Sequence, residues 1–167
     1  RLGRLLITLM LINDGVLHSC LFYPSFQFKK NRSEYYRQLT SVRERGTYEE
    51  WIEFFCASLL ESAKDSVGSL KNLVDLHNRS TATITENLGR TAANGQRLLG
   101  ILEEHPIVDT AFIAAQLDIG RSTASSLVKS FEEFNILRPL DESKQRYRRY
   151  GYEEYLSILR EDAEPIR

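Results

Sequence analysis

The sequence predicts a mainly α-helical protein with one small β-hairpin near its C-terminal end. Apolar residues recur at helical spacing through residues 1–80, which indicates a bundle of helices. Between Arg79 and Asn94 the sequence turns to Ser, Thr, Asn and Gly with few large apolar residues, a composition typical of a connecting segment. Residues 95–167 show three shorter helical patterns and then two strand-like runs. We therefore expect a helical domain at 1–80, a linker at 81–94 and a second domain at 95–167.

The first predicted helix is apolar on nearly every side. Its apolar residues are Leu2, Leu5, Leu6, Leu9, Met10 and Ile12. A helix with this pattern is expected in the middle of a bundle, and Asn13-Asp14-Gly15 ends it. After Pro24, the run Asn31-Arg-Ser-Glu34 gives a start signal for a second helix. Gly46 is expected to end that helix.

A long third helix is predicted from Thr47-Tyr-Glu-Glu50, which has the pattern of a capping box. Its apolar residues keep helical spacing, while Glu53, Glu61, Lys64 and Lys71 fall largely on the other side. The apolar line comprises Trp51, Phe54, Phe55, Leu59, Ala63, Val67, Leu70 and Val74. We expect this line to face the interior of the bundle.

The second domain is predicted to contain three helices and a hairpin. The first helix ends before Pro106, Asp109 is expected to cap the second, and the third begins at Arg121 after a tight turn. Two strands, 136–140 and 146–150, follow this third helix. Three helices with such a hairpin predict a winged helix-turn-helix domain.

Composition excludes several classes of protein. The 22 basic and 23 acidic side chains leave a formal charge of −1, which gives no overall attraction to nucleic acid or to an anionic membrane. The longest apolar stretch, Leu5–Ile12, is far shorter than the ~20 residues of a membrane-spanning helix. Cys20 and Cys56 are too few for a disulfide framework, and the three histidines lack metal-ligand spacing. We expect a cytoplasmic protein without a metal site or a membrane partner.

The N-terminal residues Arg1-Leu-Gly-Arg4 run directly into the first helix, and this junction resembles the end of the signature His-Pro-Phe-x-x-Gly-Asn-Gly-Arg-x-Gly-Arg. Further matching residues are Tyr23-Pro24-Ser25, Asn31, Tyr35-Tyr36, Leu39, Val42-Arg43, Gly46, Trp51 to Phe55, Lys144 to Arg149, and Tyr152 to Leu156. On these residues the chain is similar to the C-terminal portion of Fic-family protein AMP-transferases, a Fic-type helical bundle with a winged-helix tail. The resemblance implies that the sequence begins inside the signature, after its histidine, acidic residue and Gly-Asn-Gly loop.

The resemblance implies that the full-length parent transfers AMP from ATP to a hydroxyl side chain of a target protein, with Mg²⁺ as cofactor. Because the signature's histidine is absent, we expect no catalytic residue in this chain, no bound ATP or Mg²⁺, and no activity of the chain alone. Arg1 and Arg4 are the expected phosphate-binding residues. Tyr36 and Arg43 fall where the family lines its nucleotide site. The alternative is that Tyr36 packs between helices and Arg43 is solvated.

The predicted winged helix offers a surface for a protein or for DNA. Its third helix exposes Arg121, Ser122, Thr123, Ser125, Ser126 and Lys129, and its hairpin adds Lys144, Arg146, Arg148 and Arg149. Residues 92–167 nevertheless hold 10 basic and 13 acidic side chains, a charge of −3, whereas DNA-binding domains usually carry a basic surface. We expect target recognition or homodimer formation, with weak DNA contact. The alternative is a DNA-binding transcriptional regulator whose helical half mediates association.

Overall fold

The structure is mainly helical and includes one small antiparallel sheet of three strands. It is a computed structural model that describes residues 2–17, 24–141 and 148–161, and the side chains of 6–17, 24–141 and 148–160. The prediction of a mainly α-helical protein with a small β element is confirmed. Contacts divide the chain into two compact units with a boundary after Lys71.

The first unit contains three helices and the N-terminal part of a fourth. They are α1 (Leu2–Asn13), α2 (Pro24–Lys30), α3 (Arg32–Arg45) and α4 (Tyr48–Asn87). The sequence pattern did not predict α2, which begins at Pro24 because the fixed φ and missing N–H of proline suit the first position of a helix. Gly46 ends α3 as predicted, with a φ of 69° and its N–H donating to the Val42 carbonyl.

Aromatic rings form the core of the first unit. Phe28 of α2 is 1% exposed, and its ring centroid lies 5.2 Å from that of Tyr35 and 5.7 Å from that of Phe55. Trp51 lies 5.6 Å from Tyr35 and 6.0 Å from Phe54. Rings at these separations pack favourably beyond the area that they bury. The cluster therefore holds α2 and α3 against the first turns of α4.

The predicted apolar line of α4 is only partly buried. Its aromatic members pack in the core, but Val67 and Leu70 are 50% and 44% exposed. Ser58 and Ser62 lie on the buried side instead, and Ser58 Oγ donates to the Phe54 carbonyl. A serine hydroxyl can be buried in a helix when it bonds to the carbonyl four residues earlier. The expectation that the whole line faces the interior is therefore wrong at its C-terminal end.

The start of α4 agrees with the prediction, but the expected capping box does not form. α4 begins at Tyr48, directly after Thr47. The Thr47 hydroxyl oxygen lies 2.7 Å from Ser41 Oγ of α3. The hydroxyl is thus used between two helices rather than at the free N–H groups of α4.

The second unit contains the remainder of α4, a 3₁₀ turn at Gly89–Thr91, and the rest of the described chain. Its elements are α5 (Ala92–Glu104), β1 (Ile107–Asp109), α6 (Thr110–Leu117), α7 (Arg121–Glu133), β2 (Arg138–Pro139), β3 (Arg149–Gly151) and α8 (Glu153–Glu161). β3 lies between β1 and β2 and is antiparallel to both, with Tyr150 opposite Val108 on one side and Pro139 on the other. β2 and β3 overlap the two predicted strand runs, whereas β1 and α8 were not predicted.

Apolar side chains from α5, α6 and α7 form the core of the second unit. Leu98, Leu102, Ile113 and Phe131 are fully buried, and Leu137 joins them just after α7. Because each helix contributes one apolar face, the other faces remain in solvent. The exposed side of α7 is therefore set by the same periodicity that builds the core.

The segment predicted as a linker, 81–94, is helical over most of its length. α4 continues to Asn87, and α5 follows after a short turn. The hydroxyls of Thr83 and Thr85 donate to carbonyls four residues earlier, so these side chains are compatible with the helix. Ile84 is fully buried in the core of the second unit. This burial stabilises the helix despite a composition typical of loops.

Candidate interaction surface

α7 presents an apolar side to the core and a polar side to solvent. The inward residues Ala124, Leu127, Val128 and Phe131 are all buried. The outward residues are Arg121, Ser122, Thr123, Ser125, Ser126 and Lys129, and all six are exposed. The structure thus brings together, on one side of one helix, the residues that the sequence placed there.

Local backbone signals position α7. The Phe112 N–H donates to Asp109 Oδ1 at 2.7 Å, so Asp109 caps α6 as predicted. Asp118 then adopts a φ of 54°, and the Ile119 N–H donates to the Ala114 carbonyl. This left-handed residue reverses the chain within a tight turn, and α7 begins directly after Gly120.

Cations are few on the described surface around α7. Arg121 and Lys129 are the cations of its outward side, and Lys129 Nζ lies 3.9 Å from Glu133 Oε1. Arg138 of β2 and Arg149 of β3 are exposed as well. Since exposed ion pairs are weak and screened by salt, Glu133 offsets the charge of Lys129 only in part. The outward side of α7 thus carries four hydroxyl side chains and two cations, so neutral polar groups outnumber charges there.

A groove lies between the start of α5 and the polar side of α7. It is lined by Leu88, Thr91, Asn94, Thr123, Ser126, Leu127 and Ser130. Four hydroxyls and one amide surround two leucine side chains, and the lining carries no charged group. Such a lining provides neutral hydrogen-bond donors and acceptors. It suits a polar side chain or a peptide backbone better than a phosphate.

The two predicted nucleotide-lining residues, Tyr36 and Arg43, lie on one exposed side of α3. Tyr36 is 54% exposed, and the guanidinium carbon of Arg32 lies 5.7 Å from its ring centroid. Tyr36 is therefore not packed between helices. Arg43 is exposed two helical turns later, which places it on the same side of α3.

Four predicted site residues fall where the structure gives no side-chain description. Arg1, Lys144 and Arg146 lie outside the described ranges, and Arg4 lies in α1 with its side chain outside them. Arg148 is half-buried. The phosphate-binding roles of Arg1 and Arg4 therefore stay predictions.

A polar network that the sequence did not predict joins α8 to α4 within the second unit. The Tyr152 hydroxyl lies 2.9 Å from Ser80 Oγ, and burial raises the pKa of Tyr152 to about 12. Nearby, the Arg79 guanidinium donates to Glu154 at 2.8 Å, and this hydrogen bond raises the pKa of Arg79. These pairs join residues more than 70 positions apart, so local sequence patterns gave no signal for them.

No family model matches the chain. Within the described ranges, no group of three or more His, Cys, Asp or Glu side chains is arranged to hold a metal ion. None of the helices described here is long and apolar enough to cross a membrane.

Proposed function

We propose that residues 92–161 form a winged helix-turn-helix domain that acts as a binding module. The observation that carries this proposal is the element order α5, β1, α6, α7, β2, β3, with β3 paired between β1 and β2. In this order α6 and α7 are a helix pair joined by a tight turn, and a hairpin follows the second helix. Domains of this kind recognise partners through the outward side of that helix.

The proposed partner is a protein, either the target of the parent enzyme or a second copy of the chain. The net charge of −3 over residues 92–167 supports a protein over DNA. The hydroxyl-rich side of α7 and the uncharged groove beside it support the same choice. The neutral hydrogen-bonding groups that surround Leu88 and Leu127 in this groove suit contact with the peptide groups of a protein partner.

Titration of the chain against duplex DNA tests this proposal. We expect dissociation constants no tighter than the ~10⁻⁶ M typical of non-specific binding at physiological salt, without discrimination between sequences. If the weak binding to DNA falls steeply as the salt concentration rises, it is non-specific binding through contacts between cations and phosphates. A sub-micromolar complex that discriminates between duplexes would overturn the choice of a protein partner.

The second candidate is a DNA-binding regulator whose first unit mediates association. It is favoured by the exposed cations Arg121, Lys129, Arg138 and Arg149, which belong to α7, β2 and β3. Under this hypothesis, Arg121→Ala abolishes a sequence-specific complex, while Arg160→Ala on α8 leaves it intact. Equal losses for both variants indicate non-specific charge contacts and argue against the regulator.

For the first unit, we propose the C-terminal part of a Fic-type core whose full-length form transfers AMP from ATP to a protein hydroxyl. The resemblance at Arg1-Leu-Gly-Arg4 is the basis of this proposal. Arg4 belongs to α1 (Leu2–Asn13), and the resemblance places its cationic side chain at the phosphates of the nucleotide. The shared exposed side of Tyr36 and Arg43 is compatible with a nucleotide-lining role.

Substitutions in the full-length parent test this assignment. Arg4→Ala is expected to lower the rate of AMP transfer by about 10²-fold, as losses of charge-stabilising groups at a reacting centre do. Arg43→Ala is expected to cause a smaller loss, because it acts at the nucleotide's other end. The measurement is incorporation of labelled AMP into target protein. Wild-type activity of the Arg4 variant removes Arg4 from the site.

A further inference from the structure

A hydroxyl, an imidazole and a carboxylate lie in a row where α4 meets α5 in the second unit. Thr81 Oγ1 lies 3.5 Å from His77 Nε2, and His77 Nδ1 lies 2.6 Å from Glu103 Oε1. Thr81 and His77 are one turn apart on α4, and Glu103 belongs to the last turn of α5. This order of groups is that of a nucleophile, its general base and the acidic residue that orients the base.

Glu103 fixes the tautomer of the His77 ring. An ionised carboxylate only accepts hydrogen bonds, so Glu103 places the proton of the neutral ring on Nδ1 and leaves the lone pair of Nε2 free. Nε2 is then an acceptor for the hydroxyl proton of Thr81. The Tyr155 hydroxyl of α8 donates to the Glu103 carbonyl at 3.1 Å. The residue that orients the imidazole is therefore itself held in place by α8.

Thr81 differs from its neighbouring threonines on α4. The hydroxyls of Thr83 and Thr85 donate to carbonyls four residues earlier, at 2.9 Å and 2.8 Å, so their protons are committed to the backbone. The Thr81 hydroxyl contacts the imidazole of His77 instead. A threonine hydroxyl is a weak nucleophile until an adjacent base takes its proton. Thr81 therefore has the contact that activation requires.

The cluster is open to a small molecule. His77 is exposed, and Thr81 is half-buried. Gly100, one turn before Glu103 on α5, carries no side chain, and a Cβ there would meet nothing within 4 Å. One turn before Gly100, the Gln96 side chain lies with its Nε2 3.4 Å from the Thr81 carbonyl. An amide N–H this close to the hydroxyl's own residue can stabilise negative charge that develops on an acyl oxygen.

We infer that Thr81, His77 and Glu103 form an acyl-transfer site for small neutral esters with a good leaving group. The Thr81 oxygen attacks the acyl carbon, and its proton passes to His77 Nε2. The bond from the acyl carbon to the leaving oxygen then breaks, and that oxygen keeps the electron pair and receives the proton from His77. In the second half, water loses a proton to His77 and attacks the acyl carbon. The ester bond to Thr81 breaks, and the Thr81 oxygen regains that proton.

The charge of Glu103 decides the class of substrate. A carboxylate beside the reacting centre disfavours an anionic substrate, a triphosphate included, and leaves neutral esters as the class that fits. The site therefore does not replace the histidine of the resembled signature. The inference concerns the side of the second unit where α4 meets α5, and it does not depend on the partner proposed for residues 92–161.

Hydrolysis of p-nitrophenyl acetate by the full chain provides the first test. The wild type should release p-nitrophenolate faster than buffer alone. His77→Gln and Thr81→Val are each expected to lower the rate roughly tenfold, less than the ~10²–10⁴-fold that a positioned base contributes, because the site is open to water. His105→Gln, at a second exposed histidine, and Thr83→Val are the matched controls and should keep the wild-type rate. A wild-type rate in either His77→Gln or Thr81→Val overturns the inference.

A variant of the positioning residue Glu103 separates orientation from folding. Glu103→Gln keeps the shape of the side chain, but its amide N–H can donate to Nδ1 and move the ring proton to Nε2, which blocks transfer from Thr81. We expect kcat to fall and KM to stay unchanged, with unchanged helical circular dichroism. Glu104→Gln, at the next residue, is the matched control. An unchanged kcat in Glu103→Gln overturns the role of this carboxylate and with it the proposed row of groups.

The position of the acyl group provides a test that does not depend on rates. After brief reaction with p-nitrophenyl acetate and digestion with trypsin, Thr81 lies on the peptide 80–90 and His77 on the peptide 72–79. Peptide 80–90 contains neither lysine nor histidine, so an acetyl group introduced by the ester is on a hydroxyl. We expect acetylated 80–90 from the wild type and none from Thr81→Val or His77→Gln. Acetyl groups confined to lysines or to 72–79 overturn the inference.

Discussion

Tyr152 shows how one polar side chain can fix an element without any signal in the local sequence. Its ring is buried, and its hydroxyl pairs with Ser80 of α4. Buried hydroxyls are almost always hydrogen-bonded, because an unpaired one loses its contacts with water. Tyr155, stacked on Tyr152 at 5.4 Å, donates to the Glu103 carbonyl of α5. These two tyrosines thereby attach α8 to two other helices of the second unit.

We predict that Tyr152→Phe destabilises the chain by about 1 kcal/mol at neutral pH, the usual contribution of one hydrogen bond, and leaves Ser80 unpaired. Urea unfolding measures the change. Tyr48→Phe is the control, because Tyr48 is exposed at the start of α4. Equal stability of Tyr152→Phe and wild type contradicts a structural role for this hydroxyl.

The raised pKa of Tyr152 predicts a dependence of stability on pH. Burial holds the proton on the folded tyrosine up to a pKa of about 12, whereas an unfolded tyrosine releases it near its ordinary value of 10.0. The folded state therefore binds more protons between these values, and the free energy of unfolding falls as pH rises through them. The contribution is fully present below pH 10. Tyr152→Phe should flatten this fall, and an unchanged slope contradicts the assignment to Tyr152.

At the scale of elements, local signals predicted helix ends well and helix extents poorly. Asp109 and Gly46 lie where a cap and a stop were expected, because these roles depend on neighbouring backbone groups alone. Helix through 81–87 was missed, since it depends on burial of Ile84 against distant residues. β1 was missed for a similar reason: its pairing with β3 joins Val108 to Tyr150.

Two glycines of α5 provide a matched pair of predictions. A Cβ on Gly95 would lie 2.8 Å from Ile84 Cγ2 of α4 and 2.5 Å from Leu88 Cδ1, whereas a Cβ on Gly100 meets nothing within 4 Å. We predict that Gly95→Ala destabilises by about 1–3 kcal/mol through overpacking. Gly100→Ala should stabilise by roughly 0.5–1 kcal/mol, because alanine favours the helix. Thermal unfolding measures both, and destabilisation of similar size at both positions contradicts a close approach at Gly95.

At the scale of the whole molecule, periodicity predicted which side of α7 faces solvent, but not what binds there. The outward residues follow from the apolar ones, since the two sides of a helix are linked by its geometry. The C-terminal end of the apolar line of α4 was expected to be buried, but it is exposed. Spacing shows that residues share a face of a helix without showing what covers that face. Leu70 illustrates this: its position in the line was predicted, and its 44% exposure was not.

For the chain as a whole, we predict no transfer of AMP from labelled ATP to any protein target. Arginines can bind phosphate, but they do not take a proton from a hydroxyl at neutral pH. The sequence lacks the His-Pro-Phe run that supplies the general base in the resembled family. The full-length parent is the positive control. Steady incorporation by this chain contradicts the assignment of that role to the missing histidine.

The aromatic cluster of the first unit also makes the chain optically useful. Trp51 is the single tryptophan of the sequence, and its ring lies 5.6 Å from that of Tyr35. At this separation, light absorbed by the tyrosine is passed to the indole, so emission from Trp51 reports the integrity of the cluster. When α2 and α3 leave α4, the indole meets water and its emission moves to longer wavelength. Residues 72–161 contain no tryptophan. Fluorescence excited at wavelengths that tryptophan absorbs and tyrosine does not therefore reports unfolding of the first unit alone.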